Sequence, residues 1–593
     1  MMRPIIIVIL ALHFASLSAN HVNIIYPHGG QAIPAVDSTF IFGNTEPAAT
    51  LFINDARVPV HPEGGFLAFL PVHRGNFSFE AVSILKADTS RAAINIIVGP
   101  PPEYSSTPIA KSTLRPQNRV VLTCPDELEI FLKAKKGGQP YCRFKNTNRW
   151  IALCPILNSL PNESVFGEMP TLVDTSGLTG YESYLPMADI KDSSRVYFLY
   201  LNQGDSCFGQ PDNLDPTDSS DYYVVKYEST DSRVVTIIER PHIVRIAPDK
   251  GYELVNQPAG VRFQYAGETS DYFRVKLADH LFGYVKKIDA ELSALNNPRP
   301  QGVVSSIRVD DFPRHIEISM NIGDQLPFEI DEQGDILTID IYGLTSNVDW
   351  IRQNAVEKYI KGIWWSQPQD GIFRLSIRWQ NAQFWGYNGR YENGKFIIRI
   401  KKKPVVGNSR KGVLVGFKIM LDPGHSKDTG AVGPTGLAEK DVNLWIARQL
   451  KAVLESKGAE VFMTRTGNED VPLYNRPDTA IKEDVDLLVS IHNNALPDGI
   501  NPFKNNGTST YYYFSQSRPL ADKIHQHLLK ATGLPDYGLY YGNLALARVS
   551  DFPAVLVECA FMMIPEQEAL LRQSDFRQKV AKAIAEGIGE FVK

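Results

Sequence analysis

The sequence predicts a multidomain protein in which several all-β domains, a sandwich and small barrels, precede a C-terminal α/β domain with a mostly parallel sheet. The length of 593 residues is too great for one hydrophobic core. Up to about residue 404 apolar and polar residues alternate between short turns, which is typical of β-structure. From Gly416 onwards apolar strands alternate with helical segments, which indicates an α/β domain.

The first twenty residues predict a cleaved signal peptide. Arg3 precedes the run "PIIIVILALHFASLSA", and the small residues that end it offer a cleavage site between Ser18 and Asn20. A membrane anchor is the alternative, but the run is short for a spanning helix and no later segment has that character. We therefore expect an exported protein, periplasmic or associated with the cell wall. The net charge of −5 disfavours a nucleic-acid partner.

Residues 21–99 predict a β-sandwich. Short alternating strands are separated by turns such as Asn-Asp and Glu-Gly-Gly. The stretches "GNTEPAA" and "IND" resemble turns of bacterial immunoglobulin-like domains. The stretch "GPPPEYSSTP", which begins at Gly99, has the composition of a linker, and we assign the linker to residues 100–110.

Residues 111–300 predict a barrel-like β region made of two small barrels. The segment "GVRFQYAGETSDYFRVKLADHLFGYVKKIDAELS" is similar to the small barrels, related to Src-homology domains, of exported wall proteins. Cys124, Cys142, Cys154 and Cys207 lie in this region and can form two disulfides, with three possible connectivities, or remain free thiols. Cys559 stands apart from them.

Residues 301–404 predict another β domain, with strands divided by Gly-Asp and Asn-Gly turns. It resembles the AMIN-like modules that precede amidase domains. A linker follows at 405–415, and the α/β domain occupies 416–593. Its pattern predicts strands and helices in this order: strand 418–421, helix 439–457, strand 459–464, helix 471–483, strand 486–492, strand 508–514, helix 517–531, strand 553–558 and helices over 565–592.

Polar residues stand at three strand ends of the α/β domain. His425 follows "KIMLDPG", His492 closes "DLLVSI" and Glu558 closes "PAVLV". Ligands of such sheets bind at the carboxyl ends of the strands. Glu439 falls in the first turn of the next helix, and two glycines in the preceding loop allow it to fold back beside His425.

Two histidines and one carboxylate form a typical catalytic zinc site with one position left for water. His425, Glu439 and His492 are therefore candidate zinc (Zn²⁺) ligands. Glu558 is the candidate general base and acid, because a second carboxylate must move the proton. Singly, each residue has an ordinary explanation, such as a capped loop histidine or a carboxylate at a helix N-terminus. Their occurrence together on strand ends of one domain favours catalysis.

Four motifs in this domain match one family pattern: "LDPGHSKDTGAVGPTGLAEKDVNL", "MTRTGNEDVPLYNRPDTA", "LLVSIHNNA" and "LALARVSDFPAVLVECAF". The chain from Lys418 to its end thus resembles the zinc-dependent N-acetylmuramoyl-L-alanine amidases of the Amidase_3 type. The resemblance implies that His425, Glu439 and His492 bind zinc and that Glu558 transfers protons. It also places Asn494 near the site as a substrate-binding residue.

The chain departs from this family directly after Glu558. The family usually has Val-Glu-x-Gly-Phe-x-Ser-Asn, whereas this chain has "VECAFMMIP", with Ala560 and Ile564 in place of the glycine and the asparagine. We expect altered packing behind Glu558 and intact chemistry. Cys559 has no base placed beside it by sequence, so a core thiol is favoured over a nucleophile. We interpret the two histidines of "KIHQH", His525 and His527, as surface residues.

The resemblance implies a peptidoglycan hydrolase that cleaves the amide between the lactyl group of muramic acid and L-alanine of the stem peptide. Arg548 is a candidate to steady the oxyanion or the carboxylates of the peptide, and a surface ion pair explains it equally well. Two other functions remain open: a zinc peptidase that cuts another peptidoglycan amide, and an inactive wall-binding scaffold. The expected contact with the wall is peripheral, and the sequence identifies no protein partner.

The interval 493–507, "NNALPDGINPFKNNG", predicts a surface loop after the second histidine. Its two prolines, two glycines and five asparagines disfavour a helix. It is too short to lay a helix across the site and return. We therefore expect an open zinc site, and an isolated domain of residues 412–593 that needs no activator.

Overall fold

A computed structural model describes most of the chain beyond residue 19. The described residues are 20–99, 108–116, 120–123, 127–156, 178–190, 193–202, 205–209, 223–227, 232–238, 243–246, 251, 254–279, 281–354, 356–405 and 412–593. The predicted signal peptide and Cys124 lie outside these residues, as does the side chain of Cys207.

Residues 20–99, called here the first sandwich, form two sheets packed face to face. The strands are β1 (Val22–Tyr26), β2 (Ala32–Ile33), β3 (Ser38–Thr45), β4 (Thr50–Ile53), β5 (Ala56–Val58), β6 (Gly65–Pro71), β7 (Gly75–Leu85) and β8 (Asp88–Val98). One sheet has the order β1-β3-β6 and the other β2-β8-β7-β4-β5. Inward residues of both sheets, such as Ile41, Phe66 and Phe79, make one core.

Residues 109–292 add β-structure with two separate cores. The strands are β9 (Ile109–Arg115), β10 (Val120–Thr123), β11 (Glu127–Lys135), β12 (Gln139–Phe144), β13 (Ile151–Ala152), β14 (Cys154–Pro155), β15 (Leu178–Pro186), β16 (Ser193–Asn202), β17 (Asp205–Gly209), β18 (Tyr223–Tyr227), β19 (Val234–Ile237), β20 (Ile243–Val244), β21 (Leu254–Val255), β22 (Arg262–Glu268), β23 (Tyr272–Ala278), β24 (Leu281–Lys286) and β25 (Ala290–Leu292). Among the described residues, the pair Val121 with Glu268 joins β10 to β22 and links both halves in one sheet. The division into two barrels stays a prediction.

Cysteine pairing in this region differs from the disulfide alternative. Cys142 and Cys154 are both free, the first buried and the second exposed. Two disulfides among the four clustered cysteines are therefore not formed. Burial raises the pKa of the Cys142 thiol to about 12, which keeps it protonated.

Residues 302–401, called here the second sandwich, contain nine strands in two sheets. The strands are β26 (Gly302–Asp311), β27 (His315–Asn321), β28 (Phe328–Gln333), β29 (Ile336–Tyr342), β30 (Leu344–Asn354), β31 (Ile360–Gln369), β32 (Ile372–Trp379), β33 (Tyr387–Glu392) and β34 (Lys395–Lys401). The sheets have the orders β30-β26-β27-β34-β33 and β28-β29-β32-β31. A shared apolar core lies between them.

The α/β domain contains a six-stranded sheet and five α-helices within residues 412–593. Its elements are β35 (Lys418–Pro423), α1 (Glu439–Ser456), β36 (Glu460–Met463), α2 (Asn475–Lys482), β37 (Leu487–Asn494), β38 (Thr508–Tyr512), α3 (Arg518–Thr532), β39 (Asp536–Tyr541), β40 (Ala554–Phe561), α4 (Pro565–Arg572) and α5 (Ser574–Phe591). The strand order is β36-β35-β37-β40-β38-β39, and β38 is antiparallel to β40 while the other neighbouring pairs are parallel.

The two faces of this sheet have different roles. Val489 and Val557 belong to the face that packs with α1, α3 and α5 into the main core. Leu488 and Ala554 belong to the opposite face, where α2 and the 545–552 loop cover only part of the sheet. Side chains alternate between the two faces along a strand. His492 and Glu558, which lie four residues after Leu488 and Ala554, therefore project from this second face.

The first sandwich packs on the carboxyl edge of the α/β sheet. Phe40, Phe42 and Leu67 form one apolar cluster with side chains from the loops that follow β37 and β40; these are Leu496, Ile500, Phe561, Met563 and Ile564. Asp498 of the 493–507 loop accepts hydrogen bonds from Tyr26 at 2.7 Å and Thr39 at 2.6 Å. The loop contains no helix, as predicted, but it is held against another domain.

The second sandwich packs on the opposite, amino edge of the sheet. Lys401 is buried there and lies 3.0 Å from Asp484 and 3.6 Å from Asp486, just before β37 begins. Trp385 belongs to the second sandwich by sequence, yet its indole is buried in the main α/β core against Phe417 and Phe591. An isolated 412–593 domain would therefore lose part of its own core, which the sequence-based expectation did not take into account.

Trp385→Ala is expected to lower the free energy of unfolding by about 3–5 kcal/mol, the usual effect of deleting a large buried aromatic side chain. The matched control is Trp350→Ala, because Trp350 is 75% exposed and Trp385 only 3%. Its expected change is within about 0.5 kcal/mol. Denaturant unfolding of the full chain, followed by a spectroscopic signal from the α/β domain, measures both. Equal stability of the two variants would show that Trp385 does not support this domain.

No helix in the described part of the chain has the length and apolar character needed to cross a membrane.

Candidate active site

The structure brings His425, Glu439 and His492 together at the carboxyl edge of the sheet. One ligand atom from each residue lies within 4.8 Å of the other two. Nε2 of His425 is 3.0 Å from Oε2 of Glu439, and Nδ1 of His492 is 3.1 Å from Oε1 of the same carboxylate. The side chains of the two histidines are 27% and 18% exposed. The cluster is thus open to solvent from one side.

Two glycines allow this convergence, as the sequence predicted. A Cβ atom added at Gly424 would lie 2.1 Å from Cε1 of His492, so the loop can pass the imidazole only without a side chain. Gly430 has φ of +65°, and a Cβ there would lie 2.5 Å from the Glu439 carboxylate. His425 itself has φ of +62°, a conformation that few residues other than glycine adopt.

Backbone and amide groups hold the Glu439 carboxylate. Its Oε2 accepts a hydrogen bond from the Ala431 amide at 2.9 Å, and its Oε1 accepts from the Asn493 amide at 3.1 Å and from Nδ2 of Asn443 at 3.2 Å. Asn443 lies one helical turn after Glu439 in α1, so both side chains share one face. These contacts fix the carboxylate between the two imidazoles.

Two buried arginines fix the loop that carries His425. Arg465 donates to the carbonyl oxygens of Pro423 and Gly424 at 2.8 and 2.9 Å. Arg476 donates to the carbonyl oxygen of His425 at 2.9 Å and forms an ion pair with Asp422 at 2.9 Å. Both arginines belong to the motif "MTRTGNEDVPLYNRPDTA". This motif therefore has a structural role in the chain, because it holds the loop backbone in place.

Asp428 orients His425. Its carboxylate is hydrogen bonded to Nδ1 of the imidazole, which leaves Nε2 directed at Glu439. A carboxylate behind a metal-binding histidine fixes its tautomer and raises its basicity. The sequence analysis did not single out Asp428. Its position three residues after the histidine, in a loop rich in small residues, was the available signal.

Glu558 lies beside this cluster on the neighbouring strand. In the register of β37 and β40 it pairs with His492, so both side chains project from the same face of the sheet. Its Oε2 atom is buried and has no hydrogen-bond partner among the described residues. Burial raises the pKa of the carboxyl to about 7, against a smaller lowering by His492. Such a pKa suits a group that must both accept and return a proton.

The two predicted substrate-binding residues lie in different places. Asn494 follows His492 by two residues on the same face, its Oδ1 accepts from the Ala495 amide at 2.8 Å, and its buried Nδ2 has no partner in the described chain. Arg548 lies in the loop before β40, donates to Oδ1 of Asn543 and lines a cavity of 270 Å³ that the second sandwich helps to form. Asn494 therefore lies close to His492, one of the zinc-ligand candidates, whereas Arg548 lies apart from them in the loop before β40.

Charges in the cluster are strongly coupled. Burial alone lowers the pKa of His425, but its contacts with Glu439 and Asp428 outweigh burial and raise it to about 9. The pKa of His492 is raised in the same way by Glu439. For Glu439, the hydrogen bonds and charges of the two histidines outweigh burial and hold the pKa far below its usual value. The charge of Glu439 therefore favours the protonated form of both imidazoles.

Zinc affinity is expected to rise with pH between 6.5 and 9. His425 has a pKa of about 9 in the metal-free site, and only the neutral imidazole binds a metal. Below that pKa zinc must displace a proton, so each lower pH unit weakens binding by up to about tenfold for one displaced proton. Competition with a chromophoric chelator across this range measures the slope. A pH-independent affinity would show that the imidazole is neutral before the metal binds.

The predictions for Cys559 and for the two histidines of α3 have different outcomes. Cys559 is a buried free thiol whose pKa is raised by burial, which agrees with a core residue and not a nucleophile. His525 was predicted to lie on the surface, and this is wrong: it is buried and lies 3.0 Å from Asp536. His527 is partly exposed and pairs with Glu590 at 2.9 Å.

Comparison with known proteins identifies the α/β domain. Residues 419–590 match the Amidase_3 family model, described as N-acetylmuramoyl-L-alanine amidase. The N-acetylmuramoyl-L-alanine amidase AmiA of Salmonella typhimurium is 35% identical over 214 residues, which cover 29% of this chain and 74% of AmiA. The chain belongs to the Amidase_3 family. LytC of Bacillus subtilis, also named N-acetylmuramoyl-L-alanine amidase, is 36% identical over 187 residues, but the match spans only 37% of LytC and 31% of this chain.

A solved amidase structure also matches part of this chain. The catalytic domain of CwlV, an N-acetylmuramoyl-L-alanine amidase from Bacillus (Paenibacillus) polymyxa var. colistinus, is 36% identical and covers 30% of this chain and 97% of its own, with a TM-score of 0.28. Family membership follows from the sequence matches. The family model begins at residue 419, so the domains before it lie outside that match.

Proposed function

We propose that this chain is a zinc-dependent N-acetylmuramoyl-L-alanine amidase that cleaves the amide between the lactyl group of muramic acid and L-alanine in peptidoglycan. The observation that carries the proposal is the convergence of His425, Glu439 and His492 beside Glu558 on one face of an Amidase_3 domain. Nitrogen and oxygen ligands of this kind suit Zn²⁺, and three protein ligands leave a coordination position open.

The three ligand candidates fit a metal ion in position and in chemistry. Their donor atoms already face one another, and the supports of Glu439 and His425 fix the ligands without occupying the open side. When bound there, zinc would lower the pKa of a water molecule towards about 7 and polarise the carbonyl oxygen of the amide. The residues of the chain then have to place the substrate and move the protons.

Glu558 moves the proton in this mechanism. Its carboxylate accepts a proton from the attacking water and returns it to the nitrogen of the leaving L-alanine, so that the amide bond breaks to a free carboxylate and a free amine. The environment of Glu558 supports both steps, because a carboxyl group with a pKa of about 7 can both take up and release a proton near neutral pH. Cys559 and the other described thiols take no part.

Substrate contacts are proposed for two further residues. The unpartnered Nδ2 of Asn494 is available to donate to a carbonyl oxygen of the substrate next to His492. Arg548 would have to reach substrate from the loop before β40, so its proposed contact is with an extended stem peptide and not with the scissile amide. The β domains are proposed to hold the exported enzyme on the wall.

Digestion of purified peptidoglycan by the full chain, followed by mass analysis of the products, tests the proposal. We expect soluble peptides with a free N-terminal L-alanine and glycan strands with intact lactyl groups. A chelator should stop the release, and added zinc should restore it. Products cut within the stem peptide would instead indicate a peptidase, and no products at any zinc concentration would indicate a wall-binding scaffold.

A further inference from the structure

Three buried polar atoms stand without partners next to the metal-ligand candidates. They are Oε2 of Glu558, Oγ of Ser509 and the hydroxyl of Tyr511, and none has a hydrogen-bond partner among the described residues. Ser509 is completely buried and Tyr511 is 2% exposed. A buried polar atom without a partner is costly, so three of them at neighbouring positions of one sheet require an explanation.

Strand register places these groups side by side. Ser509 of β38 pairs directly with Glu558 of β40, and Tyr511 pairs with Leu556, two residues earlier on the same face. Directly opposed residues of an antiparallel pair have Cβ atoms about 4.5–5.5 Å apart. Tyr511 is held in place by stacking on Tyr540, with ring centroids 5.2 Å apart. Ser509 is therefore a neighbour of Tyr511 along β38 and of Glu558 across the strand pair.

The Tyr511 phenol is influenced by both Ser509 and Glu558. Burial raises the pKa of the Tyr511 phenol, the nearby hydroxyl of Ser509 lowers it, and the charge of Glu558 raises it further. Tyr511 therefore stays protonated and has an O–H group to donate. Ser509 can both accept from the phenol and donate to the carboxylate.

We propose that Ser509 and Tyr511 are positioning residues for Glu558. The Tyr511 hydroxyl donates to Oγ of Ser509, and the Ser509 hydroxyl donates to Oε2 of Glu558. This inference rests on the proposed amidase function, because it assigns the two residues to the orientation of its proton-transfer group. The bond fixes one carboxylate oxygen towards β38 and leaves Oε1 as the atom that faces the substrate.

The arrangement has a chemical reason. A glutamate that takes a proton from water and returns it to a nitrogen must present one oxygen in a fixed place at both steps. A hydrogen bond at the other oxygen prevents rotation of the carboxylate and satisfies a buried charge. The zinc ligands are unaffected, because neither hydroxyl touches Glu439 or a histidine in the described contacts.

The sharpest test compares two replacements of Ser509 that have nearly the same shape as each other and differ in the hydroxyl group. Ser509→Thr keeps the hydroxyl and Ser509→Val replaces it with a methyl group. In the full chain acting on peptidoglycan, we expect the valine variant to lose about tenfold to a hundredfold in kcat, the loss typical of a hydrogen bond to a charged group, with KM and zinc content unchanged. The threonine variant should stay within about threefold of the original activity. Ser509→Ala, which removes the hydroxyl without adding bulk, should lose as much as the valine variant.

Tyr511→Phe tests the second bond. It should lower kcat about threefold to tenfold, as expected for a neutral hydrogen bond, and should add nothing in a Ser509→Ala background, because Tyr511 acts through Ser509. The matched control is Tyr512→Phe: the next residue of β38 faces the main core and should leave kcat unchanged.

The outcomes separate this inference from the function on which it rests. Equal kcat for the threonine, valine and alanine variants, or fully additive losses for Ser509→Ala and Tyr511→Phe, would overturn the positioning role while the amidase function stands. A full chain that binds zinc but releases no alanine-ended peptides would overturn the function and this inference together.

Discussion

Alanine at His425 or His492 is expected to remove zinc from the full chain and to reduce amide hydrolysis to background. Each imidazole supplies one of only three converging ligand atoms, so either substitution leaves two. Loss of a group that merely supports a ligand already weakens metal binding about tenfold to a hundredfold, and loss of a ligand should weaken it more. Metal analysis after dialysis, together with turnover of peptidoglycan, measures both effects.

His527→Ala is the matched control for these variants. It removes a histidine from the same domain, but one that pairs with Glu586 and Glu590 on the far side of α3. Zinc content and activity should remain those of the original chain. If His425→Ala and His492→Ala also keep a full equivalent of zinc, the ligand assignment is wrong.

The elements of the Amidase_3 domain were largely predictable because their signals are local. The helix predicted for 439–457 is observed as Glu439–Ser456, and the strand predicted for 486–492 as Leu487–Asn494. Apolar periodicity and the terminal glycine at 458 carry this information within one segment. Strand β39 was missed, because "DYGLYY" contains a glycine and lies at the sheet edge, where only the pairing with β38 makes it a strand.

The ligand cluster was predictable for a related reason. His425 follows β35, His492 and Glu558 lie in the carboxyl-terminal halves of β37 and β40, and parallel strands end at the same edge of the sheet. The supports around them were not predictable in this way. Asp428 and Asn443 act through contacts that depend on how the loop folds and which helix face turns inwards.

Contacts between domains escaped the sequence analysis, since nothing local marks them. Ile564, which stands where the family usually has asparagine, packs with Phe561 against Phe40 and Phe42 of the first sandwich. The departure from the family pattern thus forms part of an apolar docking surface at the end of the catalytic strand. Ala560, the other departure, is buried in the main core. The change at Ile564 thus involves a domain more than 400 positions away in the chain, whereas Ala560 packs within its own domain.

That docking surface changes the expected behaviour of the front domains. The 493–507 loop carries no covering helix, yet the first sandwich holds it through Asp498 and the cluster around Leu496. The loop begins directly after His492, so the first sandwich holds a segment that adjoins one of the candidate metal ligands. Accordingly, activity should be compared in the full chain before shorter chains are used.

Glu558→Gln is expected to lower kcat by about a hundredfold or more while the protein keeps its zinc. Glutamine has the shape of the original side chain but cannot take a proton from water, and Glu558 is not one of the three converging ligands. Burial raises the pKa of Glu558 to about 7, and a bound cation would lower it again. The base must be ionised to act. The activity of the original chain should therefore rise with pH, with a midpoint at or below about 7. The Glu558→Gln variant should lack this rise.

The control is Glu566→Gln, an exposed glutamate of α4 in the same domain, which should leave kcat, zinc content and the pH profile unchanged. A Glu558→Gln variant that loses its metal would make Glu558 a ligand and leave the proton-transfer role to another group. A variant that keeps both metal and activity would exclude Glu558 from proton transfer altogether. Only loss of activity with retained zinc assigns the proton to this carboxylate, because that result separates metal binding from the chemical step.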